Sequence, residues 1–369
     1  MLRATITKRF PAGPESAGFT LNIEFEAAPG VTVLYGPSGS GKTLTLDTAA
    51  GFVTPDSGRI LLNDRILFDS GAHVHLPPRD RQCGYVFQSY ALFPHMTVRA
   101  NLAFAANRLP RLERHRRIAE LLDRFRIADL AGRFPHELSG GQKQRVSIAR
   151  SLIASPEVLL LDEPANGLDA ALRADLHSII LEIRQSLAIP ILLVTHNAEE
   201  CFMLADRVLI FEGGSIVHRA APLELLRNPG TESVARLLGG FNVYEAEVVT
   251  LDPGRQTSRV RLLDTEIDGP HLRGCFLGDR VVLCMRPEEL RIATRPGANR
   301  IRGFLVRATD RMQSVRADFG HDLIVDTPRG DWPALKESGE RDGWWIELPA
   351  AFLRQIGRGQ TGRTVGVIG

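Results

Sequence analysis

Apolar and polar residues change rhythm several times along the chain. From Leu2 to Lys8 and from Phe19 to Ala27 they alternate, the period of a half-buried strand, with Pro11, Gly13 and Pro14 marking a loop between. Val31 to Tyr35 is instead a short continuous apolar run, as expected of a buried strand. Arg59 to Leu62 and Arg65 to Phe68 read as strands about a turn at Asn63-Asp64. Pro77-Pro78-Arg79-Asp80 reads as a loop, and Gly84 to Phe87 as a strand ending in Gln88. Between Ser89 and Glu137 the period becomes helical. Thr97 to Ala106 and Leu112 to Ile127 form helices punctuated by Pro94, Pro110 and Pro135. Ser139 is a natural N-cap for a further helix, Lys143 to Ala154, with Val146, Ala149, Leu152 and Ile153 on one face. Glu157 to Leu161 and Ile189 to Thr195 are buried strands flanking a long amphipathic helix, Ala170 to Leu187. Arg207 to Phe211 and Ser215 to His218 close the pattern as a hairpin around Gly213-Gly214.

After Leu237-Leu238-Gly239-Gly240 the helical segments stop. Glu245 to Thr250, Ser258 to Leu263, Arg280 to Cys284, Gly303 to Ala308, Val315 to Phe319 and Trp344 to Leu348 read as short strands, with turns at Asp252-Pro253-Gly254 and Arg329-Gly330-Asp331. A weak internal echo aligns Val281–Ile292 with Trp344–Ile356. Each is a strand, a proline and a short apolar segment. The expected organisation is an α/β domain over residues 1–239, with a helical insert at about 89–150. A β-rich domain over 240–369 follows, built as one or two small barrels of the oligomer-binding type.

Composition adds limits. The chain has 369 residues, room for two or three domains, with 44% hydrophobic and 24% charged residues, the range of an ordinary globular protein. A formal charge of +2, with signs mixed along the chain, gives no electrostatic footprint for nucleic acid. Cys83, Cys201, Cys275 and Cys284 form no CxxC pair and no zinc spacing, and read as single buried thiols in a reducing compartment. The first ten residues lack the apolar core of a signal peptide, and no apolar run approaches the roughly 20 residues that span a bilayer. The expectation is a cytoplasmic protein.

The candidate chemistry sits where apolar runs end. Val31–Tyr35 leads into Gly36-Pro37-Ser38-Gly39-Ser40-Gly41-Lys42-Thr43, a GxxxxGK[ST] phosphate loop in its strand–loop–helix setting. Its glycines allow a backbone nest for phosphates, Lys42 reaches the β- and γ-phosphates, and the Thr43 hydroxyl ligates Mg²⁺. The strand Glu157–Leu161 delivers Asp162-Glu163 to a sheet edge, where α/β proteins bind ligands. Asp162 can hold Mg²⁺ through water, and Glu163 can take a proton from an attacking water. Gln88 at a strand end can ligate Mg²⁺ and orient water, though alone it is a surface amide. His196 at another strand end is a candidate γ-phosphate contact. Leu138-Ser139-Gly140-Gly141-Gln142 opens a helix whose free N–H groups could hold a phosphate; alone it is a helix cap with a glycine turn.

Taken together, the phosphate loop, Gln88, Leu138–Gln142, Asp162-Glu163 and His196 occur in an order and spacing that resemble the ATP-binding subunits of ABC transporters, over Met1 to about Gly239. The resemblance implies a P-loop NTPase core, ATP and Mg²⁺ as cofactors, and a head-to-tail homodimer. In that dimer ATP lies between one subunit's phosphate loop and the other's Ser139-Gly140-Gly141-Gln142. It also implies that Phe10 stacks on adenine, that Asp169 sits in a loop touching the opposite site, and that the surface around 88–102 receives a coupling helix from transmembrane permease subunits. A substrate-binding protein would take part indirectly, and the chain would lie on the inner face of the membrane. Asn166-Gly167 and Asn197 depart from the commoner pattern. Met285-Arg286-Pro287-Glu288 resembles a motif in the C-terminal domains of bacterial importer ATPases, which handle sugars, sulfate, molybdate, iron or polyamines. Its role is open between a brace and a regulatory site; nearby Arg300, Arg302 and Arg307 could suit an oxyanion or form a solvated face. The expected substrate is an inorganic anion such as molybdate or sulfate. A soluble ABC ATPase acting on nucleic acid or ribosomes is the alternative from another class, disfavoured by single motifs, no sustained heptads and near-neutral charge.

Overall fold

The computed structural model describes residues 1–13 and 18–357, and the chain separates into two compact units, Met1–Leu223 and Glu224–Gly369. Pro14, one of the expected loop residues, lies outside the described residues, as does the end of the 240–369 domain beyond Gly357. The expected boundary after Gly239 falls inside the second unit.

In the first unit, β1 (Leu2–Phe10) and β2 (Phe19–Ala27) pair antiparallel, and their buried alternate positions face inward as the period-2 pattern requires. Next come β3 (Gly30–Tyr35), α1 (Lys42–Ala50), β4 (Ser57–Leu62), β5 (Arg65–Asp69) and β6 (Val74–His75). β1, β2, β4, β5 and β6 make one antiparallel sheet, in the order β2-β1-β4-β5-β6. Then follow β7 (Cys83–Val86), α2 (Val98–Ala105), α3 (Arg111–Arg124), α4 (Gly140–Leu152), β8 (Val158–Asp162), α5 (Ala170–Ser186), β9 (Pro190–Thr195), α6 (Ala198–Leu204), β10 (Arg207–Glu212) and β11 (Ser215–Ala220). The second sheet runs β11-β10-β3-β9-β8-β7, parallel from β10 to β7, with β11 antiparallel at the edge. β8 and β9 are buried at every residue, which is why they read as unbroken apolar runs. One core joins both sheets, with Leu2, Ile6, Leu21 and Phe25 from the first, Leu34, Leu160, Val194 and Phe211 from the second, and Leu46 and Ala49 of α1 between. β3, β8 and β9 therefore end side by side, which is what places their terminal residues together.

The helical insert is tied to the core at α4. Ser147 Oγ donates to the Tyr90 carbonyl (3.0 Å), and Arg150 donates to the Ala91 and Tyr90 carbonyls (2.7 and 3.2 Å). Tyr90 and Ala91 both hold left-handed backbone. The Asn101 side chain, fully buried, donates to the Phe93, Met96 and Thr97 carbonyls and accepts from the Phe93 amide. The stretch after Gln88 is thus fixed by side chains rather than by regular structure.

The second unit is built mainly of strands, as expected. After α7 (Pro222–Arg227), which spans the division, it holds α8 (Glu232–Leu238) and the strands β12 (Asn242–Asp252), β13 (Thr257–Leu262), β14 (Thr265–Pro270), β15 (Arg280–Met285), β16 (Arg291–Ala293), β17 (Arg300–Gly303), β18 (Arg307–Asp310), β19 (Ser314–Asp318) and β20 (Ile324–Pro328). An unexpected helix, α9 (Trp332–Asp342), precedes β21 (Trp344–Glu347) and β22 (Arg354–Ile356). α9 buries only Gly339, against the Trp344 ring, so it has no apolar stripe to betray it. The expected strand Gly303–Ala308 is broken. Gly303 ends β17, where a Cβ would lie 2.4 Å from Ile346 Cδ1, and Phe304 and Val306 are exposed before β18. The strands form three sheets, β14-β13-β12-β15-β22, β16-β21-β17 and β18-β19-β20, around a core that includes Leu283, Met285, Phe319 and Ile346, while Ala235 of α8 packs with Val243, Val282, Cys284 and Ile356 in a second cluster. The sequence echo has a structural counterpart. β15 and β21 each lead through a proline and one 3₁₀ turn to β16 and β22, and the copies pair crosswise, β15 with β22 and β21 with β16.

Candidate functional site

β3 ends at Tyr35, and the chain turns at Gly36, where a Cβ would lie 2.3 Å from the Phe211 carbonyl oxygen of β10. Gly39 and Gly41 adopt φ of 79° and 102°, open to glycine at little cost, and α1 begins at once with Lys42 and Thr43. The first N–H groups of α1 therefore face the loop without intrahelical partners. Lys42 is buried, its Nζ folded back on the Gly36 and Pro37 carbonyls (2.8 Å each), with Ser40 Oγ at 3.5 Å. Burial lowers its proton affinity, opposed by the Glu163 and Asp162 carboxylates. These are ligands that an incoming phosphate can replace. A pocket of about 360 Å³ opens here, lined by Phe19, Ser38, Gly39, Gly41, Lys42, Thr43, Leu44 and Glu163.

β8 delivers its carboxylates to the same place. Thr43 Oγ1 donates to Asp162 Oδ1 at 3.0 Å. Burial pushes the Asp162 carboxyl up, and the Thr43 bond opposes it. A hydroxyl and a carboxylate this close are oxygen donors suited to Mg²⁺, which completes its shell with phosphate and water oxygens. Among the described residues no cluster of three His, Cys, Asp or Glu side chains could hold a metal by itself. Glu163 has left-handed backbone, φ 44°, a conformation costing a non-glycine residue about 1–2 kcal/mol, and its amide donates to the Val194 carbonyl of β9 (3.1 Å). Around its carboxylate lie Gln88 Nε2 at 3.4 Å, Asn166 Nδ2 at 3.0 Å and His196 Nδ1 at 3.4 Å. The fold thus gathers Lys42, Thr43, Asp162, Glu163, Gln88 and His196, which are scattered over more than 150 positions of sequence.

The other candidates stand apart from that cluster. Ser139 caps α4. Its Oγ accepts from the Gln142 amide (3.3 Å), and Gln142 Oε1 accepts from the Ser139 amide (2.9 Å). Gly141 faces Leu172 of α5, 2.6 Å from where a Cβ would be. Asp169 caps α5 through the Leu172 amide (2.9 Å). None of Ser139–Gln142 lines the phosphate-loop pocket. Phe10 is 41% exposed and lies opposite Phe19 in the β1–β2 register, ring centroids 6.5 Å apart. Phe19, rather than Phe10, lines the pocket; sequence reasoning missed it, and the only signal was an aromatic facing Phe10 across a hairpin. Asn166 was noted only as a departure from the commoner pattern, and Arg81 was missed. Arg81 is fully buried and donates to the Thr48 and Ala49 carbonyls at the end of α1.

In the second unit several of the charges pair with one another. Glu289, next to the Arg286-Pro287-Glu288 motif, accepts from Arg354 (2.5 and 2.7 Å) and from the Arg286 side chain and amide (3.1 and 2.8 Å). Arg300 pairs with Glu347 (2.7 Å), and Arg302 lies over the Phe304 ring. Cys201 and Cys284 are buried as expected, but Cys83 and Cys275 are partly exposed. No helix among the described residues is long and apolar enough to cross a membrane.

A phosphate loop, a strand-end acidic pair and a parallel sheet with strand order β10-β3-β9-β8-β7 define a P-loop nucleotide-binding protein. The ABC transporter family model matches residues 21–166. The chain is 42% identical to the molybdenum import ATP-binding protein ModC of Paramagnetospirillum magneticum, over 66% of this chain and 67% of that one. It is 39% identical to the spermidine/putrescine import ATP-binding protein PotA of Nitrosospira multiformis over 78% and 77%. It is 35% identical to PotA of Nitratidesulfovibrio vulgaris over 89% and 92%. A solved dimeric ATP-binding cassette in a post-hydrolysis state with ADP and Pi has the same fold, with a TM-score of 0.53 and 24% identity over 60% of this chain and 99% of that one. The chain belongs to the ABC transporter ATP-binding proteins of the import type, and it binds and hydrolyses ATP.

Proposed function

We propose that the protein is the ATP-hydrolysing subunit of an importer, acting as a head-to-tail homodimer beneath separate transmembrane permease subunits on the cytoplasmic side of the membrane. A substrate-binding protein presents the cargo to those permeases. The observation that carries the dimer is the incompleteness of the pocket: the phosphate loop and Glu163 line it, while Ser139–Gln142 do not. A partner copy would supply Ser139, Gly140, Gly141 and Gln142, with Asp169 near the junction. The chain's own residues then divide the chemistry. Lys42 leaves the Gly36 and Pro37 carbonyls for the β- and γ-phosphates, and the amides of Gly36–Thr43 cradle them. Glu163 takes a proton from the attacking water, Gln88 orients that water, and His196 holds the γ-phosphate. Thr43, Asp162 and Gln88 would hold Mg²⁺, which supplies neutralisation of phosphate charge. Phe10, with Phe19, offers the adenine an aromatic wall.

A groove of about 570 Å³ lies next to the 88–102 segment, although no residue of that segment lines it; Phe104 of α2, half exposed, and Leu109 share its wall with Arg79 and Arg108. Such a mixed apolar and basic trough suits a short amphipathic helix. Residues 1–239 act as the ATPase domain, with the helical part near 89–150, and residues 240–369 as a regulatory domain. The transported substrate is an inorganic oxyanion such as molybdate or sulfate. A polyamine is the second reading, favoured because the polyamine-import relatives align over more of this chain.

Mixing two inactive variants tests the shared site. Ser139→Arg and Glu163→Gln homodimers should each bind ATP and fail to hydrolyse it. Mixed, they form heterodimers with one intact composite site, so hydrolysis should return. If the mixture stays inactive while both variants bind ATP, each site works within one subunit. The same assay in permease-containing vesicles, with molybdate or spermidine offered, separates the two substrate readings.

A further inference from the structure

Glu163 lies between two spaces. It lines the phosphate-loop pocket, and it also lines a smaller cavity of about 60 Å³ behind, with Asn166, Arg173, His196 and Glu200. A carboxylate in that position has room to turn either way. Asn166 restricts it twice. Its backbone amide donates to the Glu163 carbonyl (3.1 Å), closing the turn, and its side-chain Nδ2 donates to Glu163 Oε2 (3.0 Å). A carboxylate only accepts, so the amide nitrogen must be the group facing it. The contacts from Gln88 and His196 are longer, 3.4 Å each, and both come from other strand ends. Gly167 beside it is open, with φ 74° and nothing within 4 Å of a Cβ, but Ala165 and Leu168 on either side are buried, and the Leu168 amide donates to the Ala165 carbonyl (3.3 Å). Packing therefore holds the backbone of this turn, and the Asn166–Glu163 side-chain bond holds the carboxylate.

We infer that Asn166 is a positioning residue for ATP hydrolysis, tethering the Glu163 carboxylate in one rotamer between the two cavities. The inference rests on the reading of Glu163 as the base. A tether of this kind acts on the chemical step and not on nucleotide affinity.

Asn166→Ala is the decisive variant for loss of the tether, because it removes the donor without setting a second carboxylate beside Glu163. Asn166→Asp keeps the size and turn-forming shape but adds that charge, and Asn166→Ser returns a shorter donor. In the full-length dimer, kcat should fall about 10- to 100-fold in Asn166→Asp and Asn166→Ala, with KM for ATP within about twofold and melting temperature unchanged. Asn166→Ser should recover part of the loss. A parental kcat in Asn166→Ala or in Asn166→Asp overturns the inference, because both lack the donor that would hold the Glu163 carboxylate. A rise in KM matching the fall in kcat overturns it too. Glu163→Gln, assayed alongside, separates the failures. Full turnover there removes Glu163 as base, whereas an inactive Glu163→Gln beside a normal Asn166→Asp removes only the tether.

Discussion

Arg81 offers a severe test of how the phosphate-loop helix is held. Its side chain is fully buried, with Nε donating to the Leu76 carbonyl (2.8 Å) and Nη1 to those of Thr48 and Ala49 (2.8 and 3.0 Å). Thr48 and Ala49 belong to the last turn of α1, the negative end of the helix, where the Thr48 carbonyl also accepts from the Gly51 amide (3.2 Å). Gly51 makes room, since a Cβ there would lie 2.5 Å from Arg81 Nε. Arg81→Met keeps most of the volume and removes every donor. Bonds from a charged donor contribute about 1.5–3 kcal/mol each. Losing three leaves the Ala49 carbonyl only the Cys83 thiol at 4.0 Å, while the Thr48 carbonyl keeps the Gly51 amide and the Leu76 carbonyl is only partly buried; the loss is offset further because a buried charge is removed with them. The net loss should be about 3–5 kcal/mol. At about 2–4 °C per kcal/mol for a unit of this size, the first unit's melting transition should fall by about 6–20 °C in calorimetry. Arg81→Lys should recover only part, because a single ammonium cannot reproduce the planar fork. A melting temperature within about 2 °C of the parent in Arg81→Met would refute the reasoning. α1 carries Lys42 and Thr43 at its other end, so hydrolysis should weaken with stability.

Two further outcomes follow from the same geometry. Gly36→Ala places a Cβ against the backbone of β10, which cannot yield as a side chain can, so the loop must shift; ATP affinity measured by fluorescent-nucleotide titration should drop about tenfold or more, and parental affinity would mean that the loop adapts freely. Glu289 is buried, which alone would raise its carboxyl, but bonds from Arg354 and from Arg286 win and hold it below the ordinary value of 4.5. A carboxyl that binds its proton more weakly folded than unfolded stabilises fully above that ordinary value, and the stabilisation is lost as pH falls through the lower folded value. Melting of the second unit should therefore steepen its decline below pH 4.5 in the parent, and Glu289→Gln should lower stability at neutral pH while flattening that decline. An equally steep acid decline in Glu289→Gln would assign the effect to other carboxylates.

The amino-acid sequence alone determined the chemistry that depends on neighbours in the chain. Gly36–Thr43, the Asp162-Glu163 strand end and the Ser139 capping box are local: each needs only an apolar run or a helix start beside it. Unbroken runs such as Val158–Leu161 announce buried parallel strands, because both faces are covered. The tertiary structure decided what depends on approach between distant segments. Phe19 reaches the pocket because β2 lies over the phosphate loop, where Gly41 has no room for a Cβ beside Leu21 and Phe19. Arg81 reads as a loop arginine until α1 ends above it. Asn166 acquires meaning from a side-chain rotamer, which no pattern encodes. α9 and the break at Gly303 stayed hidden because each packs through a glycine, and a missing side chain leaves no hydrophobic trace. Leu138–Gln142, the most distinctive stretch of the sequence, caps a helix and stays out of its own chain's pocket. The sequence names its chemistry, and only the arrangement of the sheet ends shows that this stretch stands apart from its own chain's phosphate loop.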